Sequence, residues 1–368
     1  MPVGLVVMKW DERIGTEILA KYPEEIAISE KTLMQVYSTH EYSGEAGMIS
    51  LMVGSLNIAS YYTGPDKNYY ILLLLNLDDD PDVYEGGLSD TARTILQNLE
   101  DETYKPLIPD LFRRLSVYPT LNDEQKLAMT YHDEVKRMII NRLREEGVVS
   151  KSELVIWLKD KYTRGFIDLE ALLTELIKRE LIKETSVKGM PSELLFLTND
   201  LIMLRVPPGN LVKNPADRGL PSQLADDYKT EVKKFFQNYR PSEEDNLKII
   251  KVLINPQTYE TLRLLRTTIA TRNDLEKLKK KGVDDVDEVL KKLWDTQLIQ
   301  VFQDNHNNEY YALISDFYLK ITFPKYLLNI IKSEYEKKSK ADQVLVEYLA
   351  VLENAYENFK SIVKSKAE

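Results

Sequence analysis

Four carboxylates fall within five positions of "NLDDDPDVYEGGL" (76–88): Asp78, Asp79, Asp80 and Asp82. Such a cluster could bind a divalent cation or divide acid and base roles. A calcium loop of the EF-hand type needs ligands at alternate positions, a central glycine and a distal glutamate. Here three aspartates are consecutive, Pro81 interrupts, and Gly86 and Gly87 come too late. Three adjacent side chains diverge unless a loop curls them together. A junction between a buried strand and a helix explains the stretch better. Aspartate suits an N-cap and a first helical turn, where it meets free amides, and proline suits the first helical position.

The remaining chemistry is sparse. His40, His132 and His306 lie far apart, with no HExxH spacing. No GxxxxGK[ST] or GxGxxG phosphate loop and no GxSxG elbow occurs, so the serines lack an activating partner. The chain has no cysteine, which excludes disulfides, thiolate catalysis and Cys-based metal sites. Arg13, at a predicted hairpin tip, reads as a solvated turn residue; the alternative is a finger reaching into a partner's phosphoryl-transfer site. No catalytic residue, cofactor or metal is expected, and the protein reads as a non-enzyme.

The elements that would carry these residues follow from pattern. The 368 residues suffice for two or three domains. With 43% hydrophobic residues they can build real cores. The opening "MPVGLVVMK" lacks a basic start, and "YYILLLL" (69–75) is far too short to span a membrane, so a cytoplasmic protein is expected. Peripheral association with a membrane stays open. "VGLVVMKW" (3–10) and "TEILAKY" (16–22) predict a hairpin around "DERIG". "SEKTLMQVYSTH" (29–40) predicts a helix capped by Ser29. "MISLMVG" (48–54), "LNIASYYTG" (56–64) and "YYILLLLNL" (69–77) predict three more strands, the last buried on both faces. Two helices follow, broken near Pro106 and Pro109.

The β-β-α-β-β-β-α-α order, the "GLVVMKWDERIGTEILAKYP" hairpin and the "YYILLLLNLDDDPD" junction resemble the longin domain, a profilin-like module of trafficking proteins. The resemblance covers residues 1–117. It implies an antiparallel five-stranded sheet with helices on its faces, whose edge strand pairs with another longin or roadblock domain.

Residues 118–208 predict a long helix ("NDEQKLAMTYHDEVKRMIINRLREEG"), a helix capped by Ser150 with Glu153, a third helix (168–182), and a wing of "LIKETSV" (181–187) and "ELLFLTNDLIMLRV" (193–206): a winged helix. After a linker and connecting helix (209–240), the pattern recurs over 241–324. "LTNDLIMLRVPP" (197–208) aligns with "LISDFYLKITFP" (313–324), Asp200 on Asp316, at an offset of 116 residues. Residues 325–368 predict C-terminal helices. There Leu345, Leu349, Leu352, Tyr356, Phe359 and Val363 alternate by four and three, the period of a coiled-coil seam.

Winged helices raise the question of DNA. A groove reader needs a basic third helix. The two third helices carry net charges of −2 (168–180) and −3 (284–296), and the whole chain −10. Lys277, Lys279, Lys280 and Lys281 in "KLKKK" read as a solvated face, with a phosphate-contacting patch as the alternative.

The expected fold class is therefore α+β and multidomain. A longin-like domain before tandem winged helices resembles the architecture of nitrogen permease regulator-like proteins, which act on small GTPases. The resemblance implies a protein–protein adaptor or regulator whose partner is a small GTPase or another longin or roadblock protein, with a homodimer possible. The alternatives are a DNA-binding transcription regulator and a scaffold of a membrane-remodelling complex.

Overall fold

The computed structural model describes residues 2–44, 46–65, 67–99, 102–162, 167 and 169–365, with side chains to 361. The first elements are β1 (Gly4–Asp11), β2 (Gly15–Tyr22), α1 (Glu30–Ser43), β3 (Gly47–Val53), β4 (Leu56–Tyr62), β5 (Tyr69–Leu75), α2 (Glu85–Gln97) and α3 (Ile108–Val117). Next come α4 (Asp123–His132), α5 (Glu134–Glu146), β6 (Val148–Ser150), α6 (Lys151–Lys161), α7 (Leu169–Lys178), β7 (Ile182–Thr185), β8 (Leu194–Leu197) and β9 (Asp200–Val206). Then follow α8 (Gly209–Lys213), α9 (Ala225–Asn238), α10 (Glu243–Ile254), α11 (Pro256–Leu265), β10 (Ala270–Thr271), α12 (Arg272–Glu276) and α13 (Val286–Asp295). The last are β11 (Ile299–Gln303), β12 (Glu309–Leu313), β13 (Asp316–Thr322), α14 (Leu327–Lys337) and α15 (Asp342–Ser365). The fold is α+β. Among the described residues no helix is long and apolar enough to cross a membrane.

The chain forms two compact units that interleave in sequence. One comprises 1–121, 145–197 and 330–351; the other comprises 122–144, 198–329 and 352–368. A partition read along the chain does not express this, because α4 packs on α10 and β9 pairs with β13, each across more than a hundred residues.

In the first unit, β1 to β5 form an antiparallel sheet of order β2-β1-β5-β4-β3. Strand period separates its two cores. Leu5, Val7, Ile71 and Leu73 face α2 and α3, where Leu88, Ile95, Leu111 and Leu115 cover them. Val6, Met8, Tyr70 and Leu72 face α1, where Leu33 and Val36 cover them. Central β5 is buried almost throughout, which explains its uninterrupted apolar run. Ser29 caps α1 as expected, its side chain accepting from Thr32 N at 3.1 Å.

The two repeats share element order. α5-β6-α6-α7-β7-β8 matches α11-β10-α12-α13-β11-β12, and their sheets run β6-β8-β7 and β10-β12-β11. The short strands β6 and β10 were not legible in sequence. Residues 193–206 do not form one wing strand: β8 ends at Leu197, and β9 instead pairs with β13. The predicted helix 122–147 is also broken. Asp133 is extended (φ −66°, ψ 118°) and its carboxylate caps Lys136 N at 2.9 Å. The carbonyls of Tyr131 and His132 freed by the break accept from Arg137 at 2.8 and 2.7 Å.

In the second unit, Arg144, near the end of α5, donates to Asp200 at 2.8 Å and to the Leu201 carbonyl at 2.6 Å. Arg266, at the end of α11, donates to Asp316 at 3.0 Å and to Glu124 at 2.7 Å. The aligned aspartates thus do the same work, each fixing the start of a ribbon strand to an arginine at a helix end.

Candidate functional site

Each expected site residue has a definite place. Asp80 caps a short 3₁₀ turn, Pro81–Tyr84, by accepting from Asp82 N at 3.0 Å. Asp79 turns back to accept from Asn76 N at 3.1 Å. Asp78 and Asp82 are exposed. The cluster is a strand exit running into α2. Among the described residues no group of three His, Asp or Glu side chains could hold a metal ion.

Arg13 is exposed at the β1–β2 tip, its backbone N–H donating to Asp11 Oδ1 at 2.8 Å. Lys277 and Lys279 pair with Asp274 at 2.8 Å and Glu276 at 2.5 Å, while Lys280 and Lys281 are exposed. Two of the four lysines are thus spent on their own turn. On α13, Asp287 takes both arms of Arg272, at 2.5 and 2.9 Å. On α15 the buried stripe is Val344, Leu345, Tyr348, Val351, Leu352 and Ala355. Leu345 and Leu352 are therefore internal, Leu349 and Tyr356 stay half-exposed, and Phe359 is partly buried. The side chain of Val363 lies outside the described residues. Tyr348 donates to the Leu197 carbonyl at 3.1 Å and packs on Phe196.

None of these positions converges on another. A site that does converge among the described residues is one sequence reading passed over: a groove of about 590 Å³ between α1 and β3. Helical spacing puts Lys31, Met34, Gln35, Ser38 and Tyr42 on one outer face of α1, opposite Leu51 and Val53, with Met52 on the strand between them. Met34, Tyr42 and Met52 are 40%, 96% and 67% exposed. Solvent-facing apolar side chains concentrated on one groove mark a binding surface more than scattered ones do.

Among the described residues no strand pairs with the sheet edge beside the groove. β3 is terminal in the strand order, and its sequence, GMISLMV, carries neither charge nor proline. The opposite edge, β2, is guarded in the usual ways. It carries Glu17 and Lys21, and a bulge leaves Leu19 unpaired between Ile18 and Ala20. Tyr22 near its end packs on Phe112 of α3. The cue was available in sequence: an uncharged strand follows a helix with apolar residues on both faces.

Behind the groove, the inner face of α1 is anchored by His40. The imidazole is fully buried, its Nε2 lies 2.9 Å from Ser60 Oγ, and its Nδ1 has no hydrogen-bond partner among the described residues. The Tyr62 and Tyr70 rings pack on it at 5.4 and 5.5 Å. Burial holds its pKa down at about 4, so the ring stays neutral.

No protein-family model, curated protein or solved structure matches this chain.

Proposed function

We propose that this protein is an adaptor or regulator that works by protein–protein contact, with the α1–β3 face of its sheet as the docking surface. The observation that carries this reading is the asymmetry of the two sheet edges. One is charged, bulged and partly covered; the other is uncharged, open and flanked by an apolar groove. Strand addition at such an edge takes affinity from main-chain hydrogen bonds and specificity from side-chain pockets.

The sheet order β2-β1-β5-β4-β3, with α1 on one face and α2 and α3 on the other, supports reading this module as longin-like. The repeated three-helix, three-strand order supports reading the rest as two winged helices turned to protein contact. A small GTPase or a longin or roadblock protein is the partner class this architecture favours. Small GTPases of the same organism, loaded with GDP or a GTP analogue, test it. We expect at least one to bind, and Met52→Lys to weaken binding at least tenfold. No binding to any of them and no change in their hydrolysis rates would remove the GTPase from the reading.

A further inference from the structure

We propose that β3 pairs antiparallel with β3 of a second copy of this chain, about a two-fold axis through Ser50. The inference deepens the docking reading above by naming the occupant of the edge. An isologous interface must be self-complementary, each residue meeting its mirror position on the other copy. The strand reads Met48-Ile49-Ser50-Leu51-Met52, an approximate palindrome centred on Ser50. Antiparallel pairing about that centre sets Met48 opposite Met52, Ile49 opposite Leu51 and Ser50 opposite itself. Across the central five positions each pair is then apolar against apolar or hydroxyl against hydroxyl, the combinations that stabilise a ladder, and at the ends Val53 meets Gly47.

The faces agree as well. Leu51 and Val53 pack toward α1, and Met48 packs toward the opposite side. By strand alternation Ile49 shares the α1 side and Met52 shares the side of Met48. The pairing would therefore bring Met52, two-thirds exposed in one copy, against Met48 of the other. Charge favours the same patch. Two copies at −10 each repel, and β3 is a seven-residue edge without a charge. A one-residue slip would turn every pair to the wrong face, and a two-residue slip would set Ser50 against Met48 or Met52.

Sedimentation of the full chain at tens of micromolar tests the proposal. The wild type should run at twice the chain mass. Ser50→Lys, an exposed position, should run as a monomer because it sets two ammonium groups face to face. Ser50→Glu alone should also be monomeric. Mixing the Lys and Glu variants should restore the dimer, since only a shared axis position brings the two charges together. The chain has no cysteine, so Ser50→Cys adds a single thiol, and a short bis-maleimide should join two copies in high yield. A monomeric wild type, or a dimer that survives Ser50→Lys, overturns the self-pairing. Loss of GTPase binding by Met52→Lys in a monomeric protein would still support the docking edge, so the two failures can be told apart.

Discussion

Arg205 illustrates how much of this chain's polar chemistry is structural. Its side chain is 1% exposed and grips Asp245 with two bonds of 2.8 and 2.6 Å. It also donates to Ser315 Oγ and to the Thr296 carbonyl, both at 2.7 Å, while the rings of Phe235 and Tyr239 lie against its guanidinium. Removing one partner of such a pair strands the other. Arg205→Ala should cost about 3–5 kcal/mol in denaturant unfolding, whereas the double change Arg205→Met with Asp245→Leu should recover much of that loss. His40 gives the pH counterpart. Its folded pKa of about 4 lies below the ordinary 6.5, so between those values the unfolded chain takes up the proton and the folded chain does not. Stability should therefore fall as pH drops from 6.5 toward 4, by at most about 3 kcal/mol, and be unaffected by this group above that window. His40→Gln should flatten the slope between pH 6.5 and 5 in urea titrations. At this scale sequence was legible where the partner is local, as with Ser29 and Asp80. It was silent where the partner is distant: nothing near Arg205 announces Asp245, forty positions on.

The elements were legible wherever period and capping agreed. The five strands and three helices of the first sheet follow from alternation and from Ser29, Asp80 and the two prolines. Breaks imposed by distant contacts were not. "ELLFLTNDLIMLRV" alternates well enough to read as one strand, yet Arg144 seizes Asp200 and β9 leaves for another sheet. On α15 the four-and-three spacing is present, but the buried stripe turns through Val344, Tyr348, Val351 and Ala355 and leaves Leu349 and Tyr356 half-exposed. Tyr348 and Leu349 separate the two descriptions. Tyr348→Ala, which opens the contact with Phe196 and Leu197, should destabilise by about 3–5 kcal/mol by the usual cost of deleting a buried aromatic. Leu349→Ala, half-exposed, should change unfolding by roughly 0.5 kcal/mol or less. The predicted seam, which contains Leu349 and not Tyr348, would reverse that order. The groove itself went unread because its cue, an uncharged strand after a helix with apolar residues on both faces, does not say which strand ends the sheet.

For the whole molecule the governing quantity is net charge. A chain at −10 repels both its own copies and nucleic acid. Contact through an uncharged edge should therefore tighten as salt screens the repulsion, the reverse of phosphate-driven binding, which weakens with salt. Sedimentation at 50 and 500 mM NaCl should show a higher dimer fraction at the higher salt, and a gel shift at 50 mM should leave duplex DNA unbound. Tighter self-association at low salt would point to charge pairs at the interface and away from β3.

The β9–β13 ribbon carries a pseudo-dyad of its own. Its register sets Met203 opposite Leu319, Asp200 opposite Thr322 and Val206 opposite Asp316. With the repeat offset of 116, Met203 faces its own counterpart, and the other pairs are mirror images about it. Two identical single-repeat chains meeting about a dyad would make this same ladder. The single chain thus carries the ladder of a symmetric strand pair, its halves spliced by the segment between them. Nicking the chain within 209–222 undoes that splice while sparing both strands. The fragments should remain associated through gel filtration, and fragments that drift apart would show that the two repeats depend on their covalent link.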